Sequence, residues 1–272
     1  MLFNVGIVLQ ALDARASPAA LGLRPTFLWA LAHRPRWLVG SALGLAGIAP
    51  QVVAYADAPF VVVQPALSGG LLLVLAAGNR FFGERVGLIE LGGVVGIIGG
   101  IALISYGAPS HTEAHRGAVA VIGVVAGLSL AGLLPFVVRG RRVGSGTVLA
   151  VASGCAFGAT NIATKLVGDD YSVHPYRAAA WSVVVVVMGV TATLVGMTAF
   201  QRRAATVVVP VSTAVQTFLP ILLEPVFLRE SWGSANLDGL PIAAGLGLAL
   251  VGCVIVAHSS AVSRLVAGAA AG

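Results

Sequence analysis

One apolar stretch in the second half of the chain carries a series of residues able to bind a polar solute. They recur three or four positions apart, so a helix would place them on one face: Thr213, Gln216, Thr217, Pro220 and Glu224. Amide, hydroxyl and carboxyl groups on such a face can hydrogen-bond a solute, and they can equally bridge neighbouring helices. The series therefore predicts either a lined cavity or a polar contact between helices.

Two further apolar stretches carry polar residues at the same helical spacing. Asn161 and Lys165 share a face, and so do Gln64 and Ser68. Counted from the ends of their stretches, Gln216 and Asn161 lie nearest the middle. The residues predicted to bind substrate are Gln216, Asn161, Thr213, Ser68, Gln64, Gln51 and Gln10.

Charged residues inside apolar stretches are predicted to serve coupling or ion binding, and they are Glu224, Lys165 and Glu90. An unpaired charged carboxylate at the centre of a membrane costs about 2.5–3.5 kcal/mol or more, so its presence indicates a partner or a function. Glu224 would carry a coupling proton or pair with Lys165; alternatively, both side chains reach water at the interface. The prolines predicted as hinges, with plain kinks as the alternative, are Pro65, Pro210 and Pro220.

The composition indicates which class of protein must position these residues. The chain is 58% hydrophobic and 10% charged, and its mean hydropathy is +0.97. Soluble domains are about 45–50% apolar and about 25% charged. We therefore predict an integral membrane protein, and we read the net charge of +6 through its distribution rather than as a sign of a nucleic-acid partner.

A membrane span needs about 20 apolar residues, and eight stretches of that kind follow one another along the chain. A ninth segment, residues 1–12, is too short to cross on its own, so we interpret it as the tail of a first helix whose true start lies upstream of Met1. The fold class expected is all-α, a polytopic bundle of about nine transmembrane helices. The eight complete predicted spans are 37–57, 59–78, 86–106, 118–138, 147–167, 178–200, 205–227 and 237–258.

The distribution of Lys and Arg predicts the orientation. With the amino terminus outside, twelve of the 16 basic residues fall in the inner loops and tail. Such a bias is what the positive-inside rule requires. The prediction is a multi-pass protein of the cell membrane with an outer amino terminus and a cytoplasmic carboxy terminus.

Two segments of the chain repeat one pattern. In FVVVQPALSGG (60–70), Pro65 lies two positions after three valines, and Glu84 follows it by 19 residues. In TVVVPVSTAVQ (206–216), Pro210 directly follows three valines, and Glu230 follows it by 20 residues. These segments lie in the third and the eighth predicted spans, and an odd offset of five reverses the direction of crossing. The pattern therefore predicts two inverted repeats. The first would cover 1–108 and the second 146–258, with a linker helix at 118–138 and a cytoplasmic tail at 259–272.

The stretch VVVQPALSGGLLLVLAAGNRFFGERVGLIELGGVVGIIGGIALI, together with FGATNIATKLV, resembles the drug/metabolite transporter superfamily. The long first loop and the four spans before the linker helix are closer to its NIPA-like branch than to the ten-helix EamA exporters. The sequence departs from the family pattern at Arg229-Glu230 and in its short first helix. The resemblance implies alternating-access transport of a small solute, and its NIPA-like aspect implies a Mg²⁺ or other divalent-cation pathway instead.

Several other classes lack support in the sequence. A Gly-Lys-Ser/Thr phosphate loop, a nucleophile–base–acid constellation and a histidine-rich cluster are all missing, so we predict no ATP-driven pump, no enzyme, no cofactor and no metal centre. A membrane scaffold without transport is the third alternative. Partners are expected to be a small molecule or ion and the bilayer, with no nucleic acid. Gly92, Gly96 and Gly100 predict tight packing within the bundle or, alternatively, a homodimer face.

Overall fold

A computed structural model describes residues 2–57, 87–107, 117–138, 145–170, 174–227 and 236–269. All regular structure within these ranges is helical, as predicted, and it includes two short 3₁₀ turns, Ala19–Leu21 and Asn236–Gly239. The α-helices of the described ranges are α1 (Leu2–Arg15), α2 (Pro25–Ala32), α3 (Pro35–Asp57), α4 (Leu88–Gly107), α5 (Ala118–Val137), α6 (Gly146–Asp170), α7 (Pro175–Arg202), α8 (Ala205–Phe227) and α9 (Leu240–Ala269).

Four of the described helices are long and apolar enough to cross a membrane, which is compatible with the predicted membrane class. They are Leu88–Gly107, Val119–Val137, Gly146–Thr164 and Pro175–Arg202. Two shorter apolar helical segments, Ala205–Pro220 and Leu240–Val256, belong to α8 and α9. The predicted span 59–78 lies outside the described residues. The helix α9 continues to Ala269, through most of the segment predicted as a tail.

The long first loop contains a helix that the sequence analysis did not predict. Pro25 occupies the first turn of α2, where its missing N–H has no partner to lose. Phe27 and Leu31 lie four residues apart and are fully buried, since α2 packs against α3 and α7. This packing stabilises a helix of eight residues that would be marginal on its own.

The helices are arranged around two extensive contacts. Along one, α4 runs antiparallel to α9, because Gly93 opposes Gly252 and Gly100 opposes Gly245. In the other, α6 packs against α5, α7 and α8. Its contacts place it parallel to α8 and antiparallel to α7, and α1 packs antiparallel to α3. The contact of α4 with α9 and the contact of α6 with α8 both contain glycines, and we call them the α4–α9 seam and the α6–α8 seam.

The predicted glycine series on α4 is only partly used in the α4–α9 seam. A Cβ atom placed on Gly100 would lie 2.5 Å from the carbonyl oxygen of Gly245, whereas one placed on Gly92 would meet nothing within 4 Å. Gly93, which the sequence analysis passed over, lies in the seam with Gly100. Four-residue steps drift by about 40° each around a helix of 3.6 residues per turn, so Gly92 leaves the face that Gly93 and Gly100 share.

Candidate functional site

The polar face predicted on α8 lies beside the surface that packs on α6. Thr217 is buried, with 7% of its surface exposed, while Thr213, Gln216 and Pro220 are half-buried. The part of α8 opposite Gly154 is formed instead by Ser212 and Val215. Gln216 therefore lies beside the α6–α8 seam and is not enclosed in it. The side chain of Glu224 lies outside the described residues.

The α6–α8 seam is tight at one level and looser one turn further along. A Cβ atom on Gly154 would lie 2.7 Å from the Val215 Cβ and 2.8 Å from the Ser212 carbonyl oxygen. For a Cβ atom placed on Gly158, the nearest atom is Pro220 Cγ at 3.4 Å, an ordinary contact distance. Asn161 continues the same face of α6 and is exposed. The seam is therefore looser at Gly158, where it meets Pro220, than at Gly154.

The prolines of α8 do not interrupt it. The helix runs through Pro210, which is buried, and Pro220, which is half-buried, over its whole length from Ala205 to Phe227. A proline has no backbone N–H, so α8 lacks one helix hydrogen bond at each of Pro210, Pro220 and Pro225. The role of Pro210 and Pro220 as hinges stays a prediction.

The opposite face of α6 is tied to α7. The Ser153 hydroxyl donates a hydrogen bond of 2.9 Å to the carbonyl oxygen of Ala192, and both groups are buried. Gly196 of α7 lies against the same hydroxyl, at 3.0 Å from a Cβ atom placed on it. The sequence analysis missed Ser153, although a serine beside Gly154 in an apolar stretch is a signal for a helix contact.

Gln10, predicted to bind substrate, bridges two helices in the structure. Its Nε2 donates a hydrogen bond of 2.9 Å to the Ser41 hydroxyl, joining α1 to α3. Close to this bridge Gly6 and Gly40 bring the two backbones together, since a Cβ atom on Gly40 would lie 2.6 Å from the Gly6 carbonyl oxygen. Gln51 lies in α3, and its side chain is outside the described residues.

The predicted charged residues are placed differently from one another. Glu90 lies in the first turn of α4, where its Oε2 accepts a hydrogen bond of 2.8 Å from the Gly87 N–H. A carboxylate in that position satisfies an amide at the helix start and interacts favourably with the helix dipole. Lys165 lies in α6, four residues beyond Asn161, and its side chain is outside the described residues.

A group of polar contacts at the end of α1 was not predicted from the sequence. Gln201 Nε2 donates to the carbonyl oxygens of Pro18, at 3.1 Å, and Ser17, at 3.4 Å. The Leu23 N–H donates to the Thr198 hydroxyl at 3.0 Å. These contacts attach the segment after α1 to the last turns of α7, and we call them the polar junction.

Asp13 lies beside the polar junction and is the most buried of the carboxylates whose side chains the structure describes, with 7% of its surface exposed. Its Oδ1 is 3.7 Å from Arg34 Nη1, while Oδ2 has no hydrogen-bond partner within the described part of the chain. Burial of a charged group is tolerated when it is paired, and Arg34 provides that pairing. The sequence analysis counted Arg34 only as an indicator of orientation.

The predicted residues come together only in part. Pro220 meets Gly158 in the α6–α8 seam, one turn from Asn161, while Gln64, Pro65 and Ser68 lie outside the described residues. Among the side chains that the structure describes, no group of three or more His, Cys, Asp or Glu residues is suited to hold a metal ion. Comparison of the chain with protein-family models, with curated proteins and with solved structures yields no match. The resemblance to drug/metabolite transporters therefore stays a prediction from the sequence motifs.

Proposed function

We propose that this protein is a secondary transporter of the drug/metabolite transporter type that moves a small polar solute across the membrane by alternating access. The observation that carries the proposal is the loosening of the α6–α8 seam from Gly154 to Gly158, with half-buried Gln216 on the α8 turn that packs at Gly154 and exposed Asn161 one turn beyond Gly158. A membrane scaffold without transport would need no polar side chains at the edge of a helix contact that becomes looser. A transporter needs them there, because its substrate site lies between elements that move.

The packing of α6 supports relative movement of two parts. On one side, the buried hydrogen bond of Ser153 to Ala192 ties α6 to α7. On the other side, only α6 contributes glycines to the α6–α8 seam, and the contact loosens toward Pro220. In this proposal α6 and α7 move together against α8, and the solute is bound where the contact between α6 and α8 becomes looser.

The antiparallel α4–α9 seam supports the proposed inverted repeat. These two helices close the first and the second predicted repeats, and they meet through glycines of both chain segments. Equivalent helices related by an axis in the membrane plane run in opposite directions, as α4 and α9 do. The proposed orientation, with the carboxy terminus in the cytoplasm, rests on the Lys and Arg distribution alone.

The polar side chains along the α6–α8 seam favour an uncharged or weakly charged polar solute. Asn161, Gln216 and Thr213 offer hydrogen-bond donors and acceptors without a formal charge. A divalent cation would require several oxygen ligands, preferably carboxylates. Glu224 and Lys165 are retained in this proposal as the residues that couple transport to a proton or ion.

A stabilisation screen tests the proposal. Purified protein would be heated with metabolites, quaternary amines or divalent ions, since a ligand at a hundred times its Kd stabilises the folded state by about 2.7 kcal/mol. We expect an organic solute to raise the unfolding temperature, and Gln216→Leu to remove that shift while leaving the temperature of the ligand-free protein nearly unchanged. Transport of the same solute into proteoliposomes should fall in parallel.

Gln10→Leu is the matched control, because it removes the amide that bridges α1 and α3. This variant should unfold at a lower temperature and keep the shift caused by the solute. If Gln216→Leu instead lowers the unfolding temperature and transports normally, Gln216 bridges helices and the proposed site is wrong. If Mg²⁺ alone stabilises the protein, the proposed substrate would be a divalent cation and the proposal of an organic solute would be wrong.

A further inference from the structure

An apolar groove of about 600 Å³ lies between α2, α3, α5 and α7, away from the α6–α8 seam. Its volume is within the range of about 300–1,000 Å³ that ligand sites occupy. Its walls are largely apolar side chains from the four helices, among them Leu28 and Trp29 of α2, Trp37 of α3, Leu133 and Phe136 of α5, and Val190 and Leu194 of α7. Such a wall suits a hydrocarbon chain.

The groove lies where α5 ends beside α7. Phe136, one residue before the end of α5, lines it together with Leu194 of α7. α7 continues for eight residues beyond Leu194, to Arg202, which corresponds to about 12 Å.

Trp29 is the most exposed aromatic residue of the groove wall. Its side chain is 72% exposed, yet its position is supported by His33, whose Nδ1–H donates a hydrogen bond of 2.8 Å to the Trp29 carbonyl oxygen. The imidazole also packs edge-on against the indole, with ring centroids 5.0 Å apart. Tryptophan is enriched where membrane headgroups meet the hydrocarbon.

Two exposed arginines adjoin the groove. Arg24 immediately precedes Pro25, and Arg36 immediately precedes Trp37; both Pro25 and Trp37 line the groove. Neither arginine has an acidic partner within the described part of the chain, whereas Arg34 between them is paired with Asp13. Two exposed arginines without an acidic partner in the described part of the chain therefore neighbour groove-lining residues in the sequence.

We propose that this groove binds an anionic phospholipid, with one acyl chain along Trp29 and Leu133 and the phosphate near Arg24 and Arg36. The apolar walls favour any acyl chain, and the arginines select the headgroup. Basic pockets between membrane helices bind anionic lipid headgroups in this way. The proposal depends on membrane localisation and is independent of the proposed transport function.

Tryptophan quenching by brominated lipids tests this assignment in the full-length protein. The protein would be reconstituted in phosphatidylcholine vesicles that contain either brominated phosphatidylglycerol or brominated phosphatidylcholine. The signal of Trp29 is the difference between the wild type and Trp29→Phe, a substitution at an exposed position that the fold should tolerate. We expect brominated phosphatidylglycerol to quench this signal at a severalfold lower mole fraction than brominated phosphatidylcholine.

The arginines should account for that preference. Each basic residue near a membrane surface contributes about 1 kcal/mol toward anionic lipid, which corresponds to roughly fivefold in affinity. Arg24→Gln with Arg36→Gln should therefore abolish the preference while leaving quenching by phosphatidylcholine unchanged. Arg177→Gln is the matched control, because Arg177 is also exposed but lies at the start of α7, next to Tyr176.

Three results would overturn the proposal. Equal quenching by the two lipids in the wild type would make the groove an ordinary lipid-facing surface. Loss of the preference in Arg177→Gln as well would make it an effect of overall charge. Absence of Trp29 quenching by either lipid would mean that another part of the chain fills the groove.

Discussion

Among the glycine-lined helix contacts in the described part of the chain, the antiparallel α4–α9 seam and the parallel α6–α8 seam differ in kind. In the α4–α9 seam both helices contribute glycines, and each would place a Cβ atom close to the backbone of the other, as Gly100 and Gly245 do at 2.5 and 2.6 Å. In the α6–α8 seam, the glycines belong to α6 alone, and they meet side chains of Val215 and Pro220 as well as backbone.

The difference indicates which contact can change. Backbone packed against backbone has no rotamer with which to adapt, so an addition at Gly100 must displace a whole helix. A contact between glycine and side chains can adjust through side-chain rotation, and the α6–α8 contact is looser at Gly158, at 3.4 Å, than at Gly154, at 2.7 Å. The α4–α9 seam therefore fits a fixed part of the bundle, and the α6–α8 seam fits the part that moves in the proposed transport cycle.

Gly100→Val should have the largest effect, because the added side chain would overlap the Gly245 carbonyl oxygen and the Ala249 Cβ, which lies 2.6 Å from a Cβ placed on Gly100. Overpacking of a well-packed core costs about 1–3 kcal/mol and sometimes more, and we expect the upper end of that range. The measurement is the unfolding temperature and the yield of monodisperse protein in detergent.

Gly92→Val is the control for that experiment, since a Cβ atom on Gly92 would meet nothing within 4 Å. It introduces the same side chain into the same helix and should leave the unfolding temperature nearly unchanged. Equal loss of stability in the two variants would attribute the effect to valine in a helix, and the α4–α9 seam would no longer be distinguished as the rigid contact.

Gly154→Ala and Gly158→Ala separate the two levels of the α6–α8 seam. The first would bring a methyl group within 2.8 Å of the Ser212 carbonyl oxygen, whereas the second would make ordinary contacts with Pro220. We expect Gly154→Ala to destabilise the protein by about 1–3 kcal/mol. Gly158→Ala should stay near the wild type, because alanine has the higher helix propensity by up to about 1 kcal/mol.

Chemical or thermal unfolding of the two alanine variants, in the same detergent, gives the comparison. If the order is reversed, with Gly158→Ala the less stable variant, the seam is tighter at Gly158 than at Gly154 and does not loosen in that direction. The basis of the proposed function would then be lost, irrespective of any transport measurement.

Ser153→Ala should have the smallest effect, and it examines the other face of α6. The substitution removes the hydrogen bond to Ala192 on α7, and such bonds between membrane helices average about 0.6 kcal/mol. Thr160→Ala is the control, because the Thr160 hydroxyl donates to Ala156 within α6 itself. Hydrogen exchange of the Ala192 region should increase only in Ser153→Ala; an equal increase in both variants would contradict the coupling of α6 to α7.

Individual residues show which features of the fold the sequence could predict and which it could not. The predicted span 205–227 coincides with α8, and the predicted span 118–138 ends one residue beyond α5. Glutamine spacing, in contrast, could not separate roles: Gln10 bridges α1 and α3, while Gln216 stays half-buried at the edge of a seam. An amide in an apolar stretch is compatible with either role until the neighbouring helix is known.

Asp13 and Gly93 illustrate the same limit. Asp13 follows an apolar segment, and its pairing with Arg34 depends on the turn that reverses the chain between α1 and α3. Gly93 differs from Gly92 by one position, or about 100° around the helix, and only the place where α9 crosses decides which of the two must remain without a side chain. The short helix α2 likewise depends on the packing of Phe27 and Leu31.

Composition and hydrophobic periodicity by themselves determined the helical class and the positions of most described helices. The physical reason is that a bilayer leaves backbone N–H and C=O groups no partner except within the chain, so a long apolar segment must become helical. Only the tertiary structure decided which faces meet, because helix contacts depend on crossing geometry at the scale of single residues. That scale separates a tight contact at Gly100 from a looser one at Gly158.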